Sequence, residues 1–151
     1  MTGYRITHPT YSQDLSGEGA RLYGARWNSI GIPMLYLASH ASLAILELLV
    51  HVHWKQMDLT WDLMSIRLPE QAAVKEMAAG KLKKNWQHDL AYTRFLGDSF
   101  IVSGQYLILK VPSVIVPEEY NVLINPRHAD ARKIKIIHTD RFKPDQRLII
   151  A

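Results

Sequence analysis

The sequence predicts an α+β fold, and three observations carry that expectation. Residues 41–54 and 89–103 place apolar side chains at helical spacing. The last third breaks instead into short runs rich in β-branched and aromatic residues, separated by Pro, Asn and Asp, as strands of a mixed or antiparallel sheet would be. No internal repeat or low-complexity linker divides the chain, so its 151 residues, 48% of them hydrophobic, are expected to fill one core as a single domain spanning residues 1–151.

Taken in order, the segment up to about Trp27 is glycine-rich and reads as irregular. "PMLYLAS" reads as a short strand, after which Ser39 or Ser42 can cap a helix from about Ala41 to Trp54. "LTWDLMSIRLP" alternates and reads as a strand, and "QAAVKEMAAGK" as a short helix stopped by Gly80. Leu90, Phe95, Leu96, Phe100 and Ile101 mark the apolar face of a second helix ending at Gly104. "QYLILKVP", "SVIVP", "YNVLINP", "KIKIIH" and "QRLIIA" then read as strands, with Asn125 before Pro126 as a turn former.

Composition removes several function classes. The chain has no cysteine, so neither a disulfide framework nor a thiolate metal site is expected, which suits a reducing, cytoplasmic setting. The amino terminus lacks an apolar signal core, and the most apolar run, Ser42 to Val50, is short and carries Glu47, so no membrane span is expected. Eighteen Lys and Arg against fourteen Asp and Glu give a net charge of +4, which favours anionic partners. These positive residues are spread out, and no helix-turn-helix or aromatic-interleaved platform accompanies them, so direct nucleic-acid binding is not expected. His51 and His53 lie two apart on the predicted helix and face different directions, so no metal site is expected there.

Glu47 is the residue that demands an explanation. Leu43, Ala44, Ile45, Leu46, Leu48, Leu49, Val50 and Val52 surround it in sequence and leave no wide polar face on that helix. A carboxylate in such a place either becomes neutral or finds a cation and hydrogen-bond donors, because stranding the charge costs several kcal/mol. His51, at i+4, offers a weak contact. The stronger expected partner is an arginine from "GEGARLYGARWNSIGIP", where glycines permit close backbone approach and Arg21, Arg26 and Asn28 present groups suited to phosphate or ribose oxygens. This segment matches neither a Walker loop nor a dinucleotide fingerprint.

The run "RLYGARWNSIGIPMLYLASHASLAILELLVH", followed by "LKVPSVIVPEEYNVLINPRHAD" and "DQRL" and preceded by Arg5 in "YRITHP", resembles the RES domain family. That resemblance covers nearly the whole chain, with one departure: the usual glycine pair before the key arginine is Gly24 and Ala25. It implies a toxin of a toxin–antitoxin pair, built like the ADP-ribosyltransferase toxins from small mixed or antiparallel sheets flanked by helices, with NAD held between the sheets. By motif the arginine, glutamate and serine of the family name fall on Arg26, Glu47 and Ser113 as catalytic residues. Arg5, Tyr36, Asn28 and Trp27 are the expected NAD contacts. NAD is implied as substrate rather than prosthetic group, with inorganic phosphate as co-substrate (an NAD phosphorylase) or water as the acceptor (an NAD glycohydrolase). The expected reaction breaks the nicotinamide–ribose bond, Glu47 stabilising the developing oxocarbenium charge, the arginines gripping anionic oxygens and Ser113 donating to a ribose or phosphate oxygen. Transfer to a host protein, or a regulatory role without catalysis, are the alternatives. The implied partner is an Xre-type helix-turn-helix antitoxin, through which any DNA contact would run, and the resemblance allows a homodimer within that complex.

Overall fold

A computed structural model of the protein describes residues 1–53 and 60–149. Seven strands form one mixed sheet: β1 (Thr2–Thr7), β2 (Leu35–Ala38), β3 (Trp61–Arg67), β4 (Val74–Glu76), β5 (Ile108–Pro112), β6 (Tyr120–Ile124) and β7 (Lys135–Phe142). Their order is β4-β5-β6-β2-β1-β3-β7, with every pair antiparallel except β4 and β5. Three α-helices accompany them, α1 (Glu18–Tyr23), α2 (Ala41–His51) and α3 (Leu90–Ser103), and the class is α+β as expected.

The sheet is not uniformly zipped. β1 pairs with β3 over six residues, yet with β2 only at Tyr4 opposite Ala38, so a β4-β5-β6-β2 half meets a β1-β3-β7 half along a thin seam. One face carries a core of Leu35, Leu37, Met64, Ile66, Leu107, Ile108, Val122 and Ile124. On the other, Trp27, Met34, Phe100, Leu109, Val111 and Leu123 pack beneath α3, and Leu43 and Ala44 of α2 pack on Ala38, Tyr4 and Ile6 at the seam. Alternation along each strand supplies the two faces.

Several elements depart from the sequence expectation. The glycine-rich start holds β1, now an interior strand, and α1. Residues 74–76, in a run of good helix formers, form instead the short, exposed strand β4, because pairing with β5 overrides intrinsic preference. "SVIVP" is a turn: the Ser113 hydroxyl accepts from the Ile115 and Val116 amides at 3.0 and 3.1 Å and ties the chain back on itself. "QRL" is a 3₁₀ turn, and the final two residues of "QRLIIA" lie outside the described residues, as does Trp54, the expected end of α2. Neither Ser39 nor Ser42 caps α2, whose N-cap is His40 without a side-chain cap bond. By contrast α3 begins at an Asp89 cap that accepts from the Tyr92 amide and ends at Gly104, as its spacing indicates.

Candidate active site

A cleft of about 610 Å³ opens where the two halves of the sheet meet. Its floor follows one row across the strands, Tyr4 of β1 beside Ala38 of β2 beside Asn121 of β6. Its walls are α2 (Ala44, Glu47, Val50, His51), the Gly24–Trp27 loop, the start of α3 (Leu90, Arg94) and the turn after β5 (Pro112, Val114, Ile115).

Glu47 reaches this cleft because of its place on α2. Ala44 and Leu48 form the stripe buried on the sheet, while Leu43, Glu47 and His51 make the neighbouring row at i, i+4, i+8, which runs from the core out to the cleft. The helix is not buried all round: Leu46 and Val50 are exposed. Three groups meet the carboxylate. Asn121 Nδ2 donates to Oε1 at 2.9 Å, the Ser113 hydroxyl donates to the same oxygen at 3.5 Å, and His51 Nε2 lies 3.5 Å from Oε2. The hydrogen bond to Glu47 raises the His51 pKa above its ordinary value, opposed by partial burial and by the charge of Arg26. Among the described residues Glu47 makes no ion pair with an arginine, a correction to the expected partner. Its side chain is one-quarter exposed and already meets amide, hydroxyl and imidazole donors, so the charge is not stranded.

Arg26 stands in the opposite wall, in a loop fastened to α3 residue by residue. Arg94 Nε donates to the Ala25 carbonyl at 2.8 Å, the Thr93 hydroxyl donates to the Arg26 carbonyl at 2.6 Å, and Asp98 accepts from the Ser29 amide and hydroxyl at 2.9 and 2.5 Å. Between these, α3 comes so close to Trp27 that a Cβ on Gly97 would sit 1.6 Å from the Trp27 carbonyl oxygen. Gly24, at φ +68°, takes the positive-φ backbone conformation that leads into the loop. The Arg26 guanidinium donates to the Gln87 carbonyl at 2.9 Å, which leaves further N–H groups for an anion.

The structure places the remaining sequence-predicted residues differently from one another. Tyr36 lines the cleft, but its hydroxyl is spent inside, accepting from the Trp27 amide at 3.0 Å and donating to Asn28 Oδ1 at 2.7 Å. Burial pushes the phenol far above its ordinary pKa, so it remains a donor. Trp27 borders the cleft with its indole in the core, 5.7 Å from Trp86. Asn28 does not reach the cleft. It is fully buried, its amide donating to the Ala20, Ser29 and Ile32 carbonyls, and it organises the loop. Ser113, 1% exposed, does not line the cleft and is linked to it through its hydrogen bond to Glu47. Arg5 is also displaced: on β1 it faces away from Tyr4, lies opposite Met64 in the register, and donates to the Asp14 carbonyl at 2.8 Å. Burial there lowers its pKa, with the Asp14 charge opposing.

Two lining residues, Arg94 and Asn121, were not singled out by sequence. Asn within a strand-like apolar run is depleted on physical grounds, so its presence in "YNVLINP" was a usable signal. Arg94, on an otherwise ordinary helix turn, gave none. Asn125, fully buried, forms the expected turn by accepting from the Arg127 amide.

The model of the RES domain family matches residues 2–148. This chain belongs to the RES domain family. Relatives of the RES domain extend over nearly its whole length: it is 38% identical over 142 residues to the Prs ADP-ribosylating toxin of Sphingobium sp. (strain YBL2), covering 91% of this chain and 88% of that protein. It is 37% identical over 155 residues to Toxin Res of Photorhabdus laumondii, covering 100% and 99%. A chain in the crystal structure of the M. tuberculosis MbcT–MbcA toxin–antitoxin complex superposes with a TM-score of 0.77 over 95% of this RES domain and 84% of that chain, at 20% identity, a likeness of fold. No helix among the described residues is long and apolar enough to cross a membrane.

Proposed function

We propose that this RES domain is the toxin of a toxin–antitoxin pair and acts by degrading NAD, breaking the bond between nicotinamide and its ribose with inorganic phosphate as acceptor. The observation that carries the reading is a carboxylate held by an amide, a hydroxyl and an exposed imidazole in the same partly apolar cleft as two guanidinium groups, those of Arg26 and Arg94. A cleft of this size suits a ligand as large as a dinucleotide. The arginines hold its phosphates and the attacking anion. Glu47 Oε2, the oxygen not engaged by Asn121 and Ser113, faces the positive charge that grows at the ribose carbon as the bond breaks. The bonding pair leaves with the pyridine nitrogen, giving neutral nicotinamide; a phosphate oxygen closes on the ribose carbon, giving ADP-ribose 1''-phosphate.

Close similarity in sequence to proteins named Toxin Res and ADP-ribosylating toxin supports the toxin reading. The second of those names also favours transfer to a host protein as the alternative, which differs only in what attacks the ribose. The partner is a small helix-turn-helix antitoxin that occludes the cleft, a role supported by the likeness to a toxin–antitoxin complex and by the exposed apolar rim of Val50, Leu90 and Val114. Induced expression in a bacterial host, with cellular NAD quantified before growth stops, tests the reading. NAD is expected to collapse with the wild-type chain and to hold with Glu47→Ala. Growth arrest at normal NAD would favour the protein-acceptor alternative.

A further inference from the structure

Asn121 is out of place in its strand. Along β6 the neighbouring side chains Val122, Leu123 and Ile124 are buried in the two apolar cores, and across the sheet Asn121 is flanked by Ala38 and Val111. Neither neighbour's side chain can hydrogen-bond to it. Its Nδ2 donates to Glu47 Oε1 at 2.9 Å, while its own Oδ1 is buried with no partner among the described residues. An amide kept in an apolar row with one end unsatisfied works against the fold, so its contact with Glu47 is what accounts for it.

We propose that Asn121 is a positioning residue for Glu47, fixing which carboxylate oxygen faces the cleft without neutralising its charge. The other two contacts cannot do this alone. Ser113 Oγ already accepts from two backbone amides and reaches Glu47 only at 3.5 Å; His51 is three-quarters exposed, sits at the same distance, and bears on the other oxygen. Asn121 projects from an interior strand, its backbone held on both sides by β2 and β5, so its amide approaches Oε1 from a fixed direction. A neutral donor holds the carboxylate without cancelling its charge, whereas a Lys or Arg in its place would form an ion pair with it. The kinetic consequence rests on the NAD-cleaving reading; the geometric one does not.

The test uses Asn121→Leu, which keeps the branching at Cγ and is free of the unpaired oxygen, with Asn121→Asp beside it as an isosteric variant that replaces the donor by a like charge. Thermal unfolding, kcat and KM for NAD, and a crystal structure of Asn121→Leu are measured on the full chain. Asn121→Leu is expected to unfold at or above the wild-type temperature, to lose roughly 10- to 100-fold in kcat with KM changed less than about 3-fold, and to show the Glu47 carboxylate displaced. Asn121→Asp is expected to lose at least as much kcat, because two carboxylates within hydrogen-bonding distance repel. Wild-type kcat in Asn121→Leu, an unmoved Glu47 carboxylate, or a fall in unfolding temperature in both variants would each overturn the proposal, the last in favour of a purely structural role. If the wild-type chain itself does not cleave NAD, the reading of function fails, and the position of Glu47 in Asn121→Leu still decides the role of Asn121.

Discussion

Gly97→Ala adds a single methyl group where α3 touches the loop that carries Arg26. The added Cβ would lie 1.6 Å from the Trp27 carbonyl oxygen and 2.7 Å from its carbon, where contacts below 3.0 Å essentially never occur, so helix and loop must part by at least 1.4 Å (3.0 less 1.6). Both partners are backbone, so no side chain can swing aside to relieve the clash. Overpacking of this kind costs about 1–3 kcal/mol. Parting also stretches the Thr93 bond to the Arg26 carbonyl and the Arg94 bond to the Ala25 carbonyl, at about 1 kcal/mol each. Alanine's better helix propensity returns about 1 kcal/mol. The net loss of about 2–4 kcal/mol corresponds to a fall of about 4–16 °C in the unfolding midpoint for a chain of this length. Because the displaced loop carries Arg26, turnover of NAD is expected to fall about 100-fold even where the variant is fully folded. Calorimetry with a turnover assay below the transition measures both. A variant that melts and turns over like the wild type would refute the stitched-loop account.

Other changes separate the roles of individual residues. Tyr36→Phe leaves the Trp27 amide and Asn28 Oδ1 without their common partner, and is expected to lower stability by about 1–3 kcal/mol in chemical denaturation. Arg26→Lys keeps the charge but not the planar fork, and is expected to weaken NAD binding and lower kcat/KM at least about tenfold in steady-state kinetics. His51→Gln addresses pH: the folded-state pKa of His51 is raised, so its contact with Glu47 adds stability below the unfolded pKa and loses it as pH rises through the folded value. The wild type is therefore expected to melt slightly above His51→Gln at about pH 5 and together with it at about pH 9, by parallel thermal scans. The gap should be small, since His51 is three-quarters exposed.

What sequence reveals here is uneven for physical reasons. α3 was legible at both ends because Asp89 and Gly104 are local signals, readable without the rest of the fold. β1 was not: its six residues include Gly3 and Arg5, and they become an interior strand only through pairing with β3 far along the chain. β4 follows the same rule, since a distant strand overrides helix preference, whereas the turn at Ser113 has a local cause, a single hydroxyl that ends a β-branched run. At the site, side-chain type pointed to Arg26 and Glu47 and the family resemblance to Tyr36, and the fold brings all three to one cleft. Type could not say that Asn28 is consumed by three carbonyls, that Ser113 is buried and linked to the cleft through Glu47, or that strand parity turns Arg5 to the other face. Those are consequences of which group arrives first at each donor or acceptor, a property of the tertiary structure alone.

The central claim is that Glu47 drives cleavage of the nicotinamide–ribose bond by phosphate. The purified chain, incubated with NAD in the presence and absence of inorganic phosphate beside Glu47→Gln, tests it by mass spectrometry of the products. The expected result is phosphate-dependent release of nicotinamide with a phosphorylated ADP-ribose, and a loss of about 100- to 1000-fold in Glu47→Gln at an unchanged unfolding temperature. Nicotinamide released equally by both proteins, or by neither, would contradict it.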